Sequence, residues 1–114
     1  RADPLTGRTA FHGGIDFAGT EGSDVFSVAD GVVTFAGKRT GYGNVVEVNH
    51  GDGLVTRYAH ARAVAVKAGD IVSKDQLVAY MGSTGRSTGT HLHYEVLRNG
   101  KQIDPTTFIR VAKR

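Results

Sequence analysis

The sequence predicts a mainly β fold, a single antiparallel domain built as a sandwich or a partly open barrel. Three observations carry this expectation. Glycine is in excess, at 16 of 114 residues, and it is spread along the chain, which implies many tight turns. Between the glycines lie short β-branched and aromatic runs of the kind that suit a pleated, half-buried surface. Nowhere does a stretch of about 10 to 12 residues keep the apolar 3.6-residue period of an amphipathic helix.

The strand-like runs, in order, are 25–28 (Val-Phe-Ser-Val), 31–36, 44–48, 54–59, 77–81 and 91–97. His50-Gly51-Asp52-Gly53 joins the third and fourth runs as a hairpin loop, because Asp-Gly supplies the positive φ such turns need. In that loop His50 is expected to be solvated and uninvolved in chemistry. Gly13-Gly14 costs about 2 kcal/mol of helix propensity, so the segment from His12 to Asp16 is expected to be a bent, extended loop. A turn-rich stretch, 82–89, precedes the last run.

Length and composition exclude several function classes. A chain of 114 residues is one domain, 1–114, with room for one core and one site. Lys plus Arg is 14 against 11 Asp plus Glu, a formal charge of +3, which suits an anionic polymer but lacks the dense basic run of a nucleic-acid binder. No nucleic acid is expected as a partner. Cysteine is absent, which removes disulfides, thiol nucleophiles and Cys-based zinc sites. No apolar run approaches the roughly 20 residues of a transmembrane span. Arg1-Ala2-Asp3-Pro4 has no signal-peptide pattern, so an exported protein would carry this chain as a mature or excised piece.

The five histidines carry the chemical information. Strand alternation puts His91, His93 and Glu95 on one face, with Leu92, Tyr94 and Val96 on the other, toward the core. Two imidazoles on a rigid strand are either half of a site or a polar outer face. His12 and Asp16 add an imidazole and a carboxylate, and His, His and Asp form a three-ligand set for catalytic zinc that leaves one position open. The helical His-Glu-x-x-His signature is absent, so zinc chemistry here needs a β scaffold. His60, in Tyr58-Ala59-His60-Ala61, is either a further site residue or a surface histidine closing a strand.

These residues resemble the lysostaphin/LytM-type zinc endopeptidases, which cleave peptide cross-links of bacterial peptidoglycan. Phe11-His12-Gly13-Gly14-Ile15-Asp16-Phe17-Ala18 is similar to that family's first metal motif, and Thr56-Arg57-Tyr58-Ala59-His60 to its middle histidine motif. Gly82 through Val96, ending Thr90-His91-Leu92-His93-Tyr94-Glu95-Val96, is similar to the terminal one. Ala29-Asp30-Gly31-Val32-Val33, Gly41-Tyr42-Gly43-Asn44 and Asp104-Pro105 also fit, so the resemblance covers nearly the whole chain.

The resemblance implies a mainly antiparallel β domain with an active-site groove on one sheet. It implies one zinc ion per chain, held by His12, Asp16 and His93, with His60 and His91 beside the bound water. It favours His91 as general base and His60 as the group that orients water or stabilises the tetrahedral intermediate. The implied partner is a peptidoglycan peptide stem, and the implied location is extracytoplasmic: periplasm, cell envelope or outside the cell. Family members often carry a covering pro-segment or N-terminal domain, expected here outside this chain. The alternative is a non-catalytic peptidoglycan-binding or amidase-activating domain of the same fold, against which the five intact functional positions argue.

Ala61 and Thr90 depart from the family's common residues, leucine and proline, at positions that shape the groove without ligating metal. Asn44, Arg86 and Thr90 are the candidates for substrate binding. The stretch 82–89 lacks the Gly-Lys-Ser/Thr ending and following helix of a phosphate-binding loop, so it reads as a groove wall or a self-satisfied turn. Residues 66–77 resemble half of a biotinyl or lipoyl carrier, but no modifiable lysine sits at a hairpin tip.

Overall fold

In a computed structural model the chain forms one continuous antiparallel sheet. The structure describes residues 2–3, 8–10, 15–18, 22–82 and 91–103, the first three segments and residue 91 by backbone alone. The strands are β1 (Ala2–Asp3), β2 (Arg8–Ala10), β3 (Ile15–Ala18), β4 (Asp24–Phe26), β5 (Gly31–Arg39) and β6 (Gly43–Gly51). They continue with β7 (Leu54–Val64), β8 (Ile71–Val72), β9 (Leu77–Met81), β10 (His91–Arg98) and β11 (Lys101–Ile103). No helix occurs among the described residues.

The hydrogen-bonded order is β1-β2-β3-β10-β7-β6-β5-β8, with β11 on β10 and with β9 joining β7 to β4. Strand β7 explains how one sheet encloses a core. Through Leu54–Ala59 it pairs with β10, and it pairs with β6 from Leu54 to Ala61. From Ala61 to Val64, across a register shift between Ala61 and Ala63, it pairs with β9. A long strand that changes partners at a bulge bends the sheet, and the result is a curled, partly open barrel.

Five of the six predicted runs are strands throughout, and of 25–28 only Val25 and Phe26 lie in a strand, β4. Those missed are β1, β2, β8 and β11, each two or three residues long, and β3, which gives Asp16 a place in a strand where a bent loop was expected. Residues 11–14, and with them His12, lie outside the described residues.

His50 is a correction. Strand β6 continues through it to Gly51, leaving Asp52 and Gly53 as a two-residue turn with φ 54° and 78°, the mirror-image geometry that matches strand twist. The imidazole is half-buried instead of solvated. Its Nδ1 donates to the Asp30 carbonyl at 2.7 Å, and its Nε2 is hydrogen-bonded to Thr56 Oγ1 at 2.8 Å. Thr56 Oγ1 shares a hydrogen bond with Tyr58 Oη at 2.7 Å, which in turn accepts from Val28 N–H at 3.1 Å. Four hydrogen bonds linking five side-chain and backbone groups thus carry polarity from the end of β6 into the core.

The core lies on the sheet face that carries Val46, Val48, Tyr58, Tyr94 and Val96, all under 2% exposed. Leu92 packs against this cluster from β10, so the alternation read from residues 91–97 holds. Ala61 is also inside it, at 1% exposure, so this departure from the family's residue affects core packing. The two central tyrosines pack in a tilted arrangement, 5.6 Å between ring centroids, but differ in polar satisfaction. Tyr58 is bonded as above, whereas among the described residues the Tyr94 hydroxyl is the one buried side-chain polar atom without a hydrogen-bond partner. Burial raises the pKa of both phenols, so each is a neutral hydroxyl. Tyr58→Phe leaves Val28 N–H and Thr56 Oγ1 short of a partner and should cost about 1–3 kcal/mol. Tyr94→Phe removes an unsatisfied hydroxyl and should cost nothing or stabilise slightly. Urea denaturation of the two variants separates these outcomes; equal losses would contradict the assignment.

Candidate active site

The opposite face of the sheet carries a lateral row of charges. Arg39, Glu47, Arg57 and Glu95 stand on β5, β6, β7 and β10, with Glu47 directly across from Arg57 and Arg57 directly across from Glu95. Glu47 accepts from Arg39 at 2.7 Å and from Arg57 at 2.5 Å, and Arg57 donates onward to Glu95 at 3.0 Å. Two guanidiniums and two carboxylates balance, which is what permits a charged row to lie half-buried. Burial pushes the Glu47 carboxyl up, but hydrogen bonds from Arg39 and Arg57 outweigh it and hold the group below the usual carboxylate range.

His93 ends this row. Its Nε2 lies 2.8 Å from Glu95 Oε2, and only 4% of the Glu95 side chain is exposed. Here too burial raises the carboxyl and the hydrogen bonds from His93 and Arg57 lower it further than that, so Glu95 is ionised. A carboxylate can only accept, so Nε2 of His93 carries the proton and donates. Tyr42 closes the row from the side: its hydroxyl is 3.4 Å from both Glu95 oxygens, and its ring lies 6.4 Å from the His93 ring.

The register brings two further candidates to His93. Asp16 on β3 is the position directly opposite it, and Ala59 on β7 is opposite on the other side. His91 lies two positions earlier on β10, across from Ala18. His60 follows Ala59, is 8% exposed, and its ring stands 5.9 Å from that of His93. It reaches there through an unusual backbone. Its φ is 63°, a left-handed conformation rare for residues other than glycine, held by its N–H donating to the Tyr42 carbonyl at 2.8 Å. A bulge of this kind turns a side chain out of the strand's alternation.

Asn44 braces the same bulge. Its amide nitrogen donates to the carbonyls of Ala61 and Arg62, both at 3.1 Å. Beside it, Gly82 packs so closely on β7 that an added Cβ would come within 2.6 Å of Arg62 Cα, so only glycine fits there. Arg86 and Thr90 lie outside the described residues, as do the side chains of Asp16 and His91.

His93 fits a metal-binding role. An imidazole whose Nε2 is committed to a carboxylate can ligate a metal only through Nδ1, and an acceptor on the far nitrogen fixes the tautomer and raises ligand basicity. Among the described residues, which do not include His12 or the Asp16 side chain, no group of three metal-ligating side chains is assembled. Sequence reasoning placed Glu95 on the right face and gave it no task, and it missed Tyr42, Arg57 and Glu47 altogether. The continued alternation His91, His93, Glu95 was a usable signal for the first. The others depend on cross-strand register, which one sequence does not display.

The fold and site together define a curled antiparallel β domain with His60 and His93 close to each other at one end of a charged row. The chain belongs to peptidase family M23, which it matches over residues 10–105. It is 43% identical over 107 residues to the DD-carboxypeptidase/endopeptidase Mpg of Neisseria meningitidis, covering 94% of this chain and 25% of that protein. Among solved structures, a zinc-containing peptidase from Vibrio cholerae superposes with a TM-score of 0.80 at 41% identity, over 92% of this chain and 32% of the other. The catalytic domain of the antimicrobial peptidase lysostaphin from Staphylococcus simulans gives 0.80 at 34% identity, over 86% and 78%. The chain spans about a quarter of the length of the curated relatives it matches.

Proposed function

We propose that this chain is the catalytic domain of a longer zinc metallo-endopeptidase that hydrolyses peptide cross-links of bacterial peptidoglycan outside the cytoplasm. The observation that supports it most is His93, oriented by Glu95, opposite Asp16 and 5.9 Å from the His60 ring, in a chain of family M23 whose relatives bear peptidoglycan endopeptidase names.

His12, Asp16 and His93 are the residues that would hold one zinc ion, two neutral imidazoles and one carboxylate. When bound, the ion supplies Lewis-acid polarisation of the scissile carbonyl and acidifies a water for attack at neutral pH. The remaining work is done by the chain. His91, as general base, takes the proton of the attacking water and returns it to the nitrogen of the departing amine. His60, buried at the bulge, donates a hydrogen bond to the oxygen that gains charge as the carbonyl becomes tetrahedral. Arg86, Thr90 and Asn44 are assigned to the peptide stem.

Incubating the chain with purified peptidoglycan of defined cross-link chemistry and weighing the products tests this reading. Cross-linked fragments should be cut to monomeric stems, a chelator should stop the reaction, and added zinc should restore it. Intact cross-links in the presence of zinc-loaded chain would refute it.

A further inference from the structure

We propose that Glu95, clamped by Arg57, is a positioning residue that locks the His93 imidazole with Nε2–H bound and Nδ1 directed to the metal. The inference rests on the zinc reading above and adds a device to it. His93, Glu95, Arg57 and Glu47 form one unbroken chain of contacts at 2.8, 3.0 and 2.5 Å. Each link is donor to acceptor with no choice of direction, because guanidinium can only donate and carboxylate can only accept. The direction set at Arg57 therefore propagates to the ring: Glu95 has no proton to offer, so His93 must supply one from Nε2.

The geometry also explains why the device needs Arg57. A buried carboxylate on its own would be costly, and Arg57 supplies the matching charge together with a hydrogen bond at 3.0 Å that fixes the orientation of Glu95. The clamp is rigid because its members sit on paired strands, Glu95 opposite Arg57 and Arg57 opposite Glu47, and not on loops.

The test compares Glu95→Gln, Glu95→Ala and Arg57→Ala with His93→Ala and the unaltered chain. Zinc affinity is read by chelator competition, and the His93 ring by nitrogen-15 shifts of the metal-free protein. Glu95→Ala should weaken zinc binding by ~10- to 100-fold, the usual effect of removing an outer partner of a metal-bound histidine. The isosteric Glu95→Gln keeps an acceptor and should recover part of that loss, which a purely steric role would not require. In metal-free protein the His93 spectrum should shift from the Nε2–H form alone to a mixture of tautomers in the alanine variant, a change that global destabilisation does not produce. Unchanged zinc affinity and an unchanged tautomer in both Glu95 variants would overturn the proposal while leaving the zinc site intact, provided His93→Ala loses its metal. Wild-type zinc binding by His93→Ala would instead overturn the zinc reading itself.

Discussion

Replacing His93 with alanine is expected to abolish zinc binding and peptidoglycan hydrolysis together, the largest single effect available in this chain. The proposed ligand set is small, one aspartate and two histidines, so losing one imidazole would leave too few donors for tight tetrahedral coordination. The fold should survive. His93 is on the face away from the apolar cluster, whose members on β10 are Tyr94 and Val96. Elemental analysis after zinc reconstitution, together with circular dichroism, checks both halves of the expectation. A folded variant that retains stoichiometric zinc would remove His93 from the ligand set.

His60→Gly should separate stability from turnover. A non-glycine residue in the left-handed region costs about 1 kcal/mol or more, and His60 sits there at φ 63°. Glycine relieves that cost but loses more freedom on folding, by about 0.5–1 kcal/mol. The net expectation is a melting temperature equal to or slightly above that of the unaltered chain. Turnover should nevertheless fall by ~10²-fold or more, the scale of a lost oxyanion donor, with zinc still bound. Asparagine, which also tolerates this conformation, should resemble glycine in stability. Undiminished turnover in either variant would show that the bulge serves packing alone.

The difference between what sequence alone conveyed and what required coordinates follows from the range of each interaction. Strand identity along 31–36, 44–48, 54–59 and 91–97 is local: β-branched residues alternate with polar ones, and Asp-Gly marks the turn. The two faces of β10 followed from the same alternation. The very short strands β1, β2, β8 and β11 have no such pattern to offer, because two or three residues cannot establish a period, and Gly13-Gly14 masked β3. His50 was misjudged because its partners come from elsewhere in the chain, Asp30 from the bend before β5 and Thr56 from β7. The link from Glu47 through Arg57 to Glu95 was hidden for the same reason. The backbone of His60 was beyond reach from composition, since a histidine with positive φ is imposed by Tyr42 and the bulge and not by any preference of its own.

The strand order also has a consequence for the sequence of events by which the molecule assembles. Strands β5, β6 and β7 are consecutive in the chain and meet as hairpins, the kind of local pairing that forms early. Strand β10 then inserts between β7 and β3, so Asp16 and His93 are joined by closing a loop of most of the chain's length. Loop-closure entropy makes that step late. The pairing of Asp16 with His93 therefore arrives near the end of folding, after the barrel's hairpins exist, and a nascent chain halted before β10 has emerged would hold the hairpins without it.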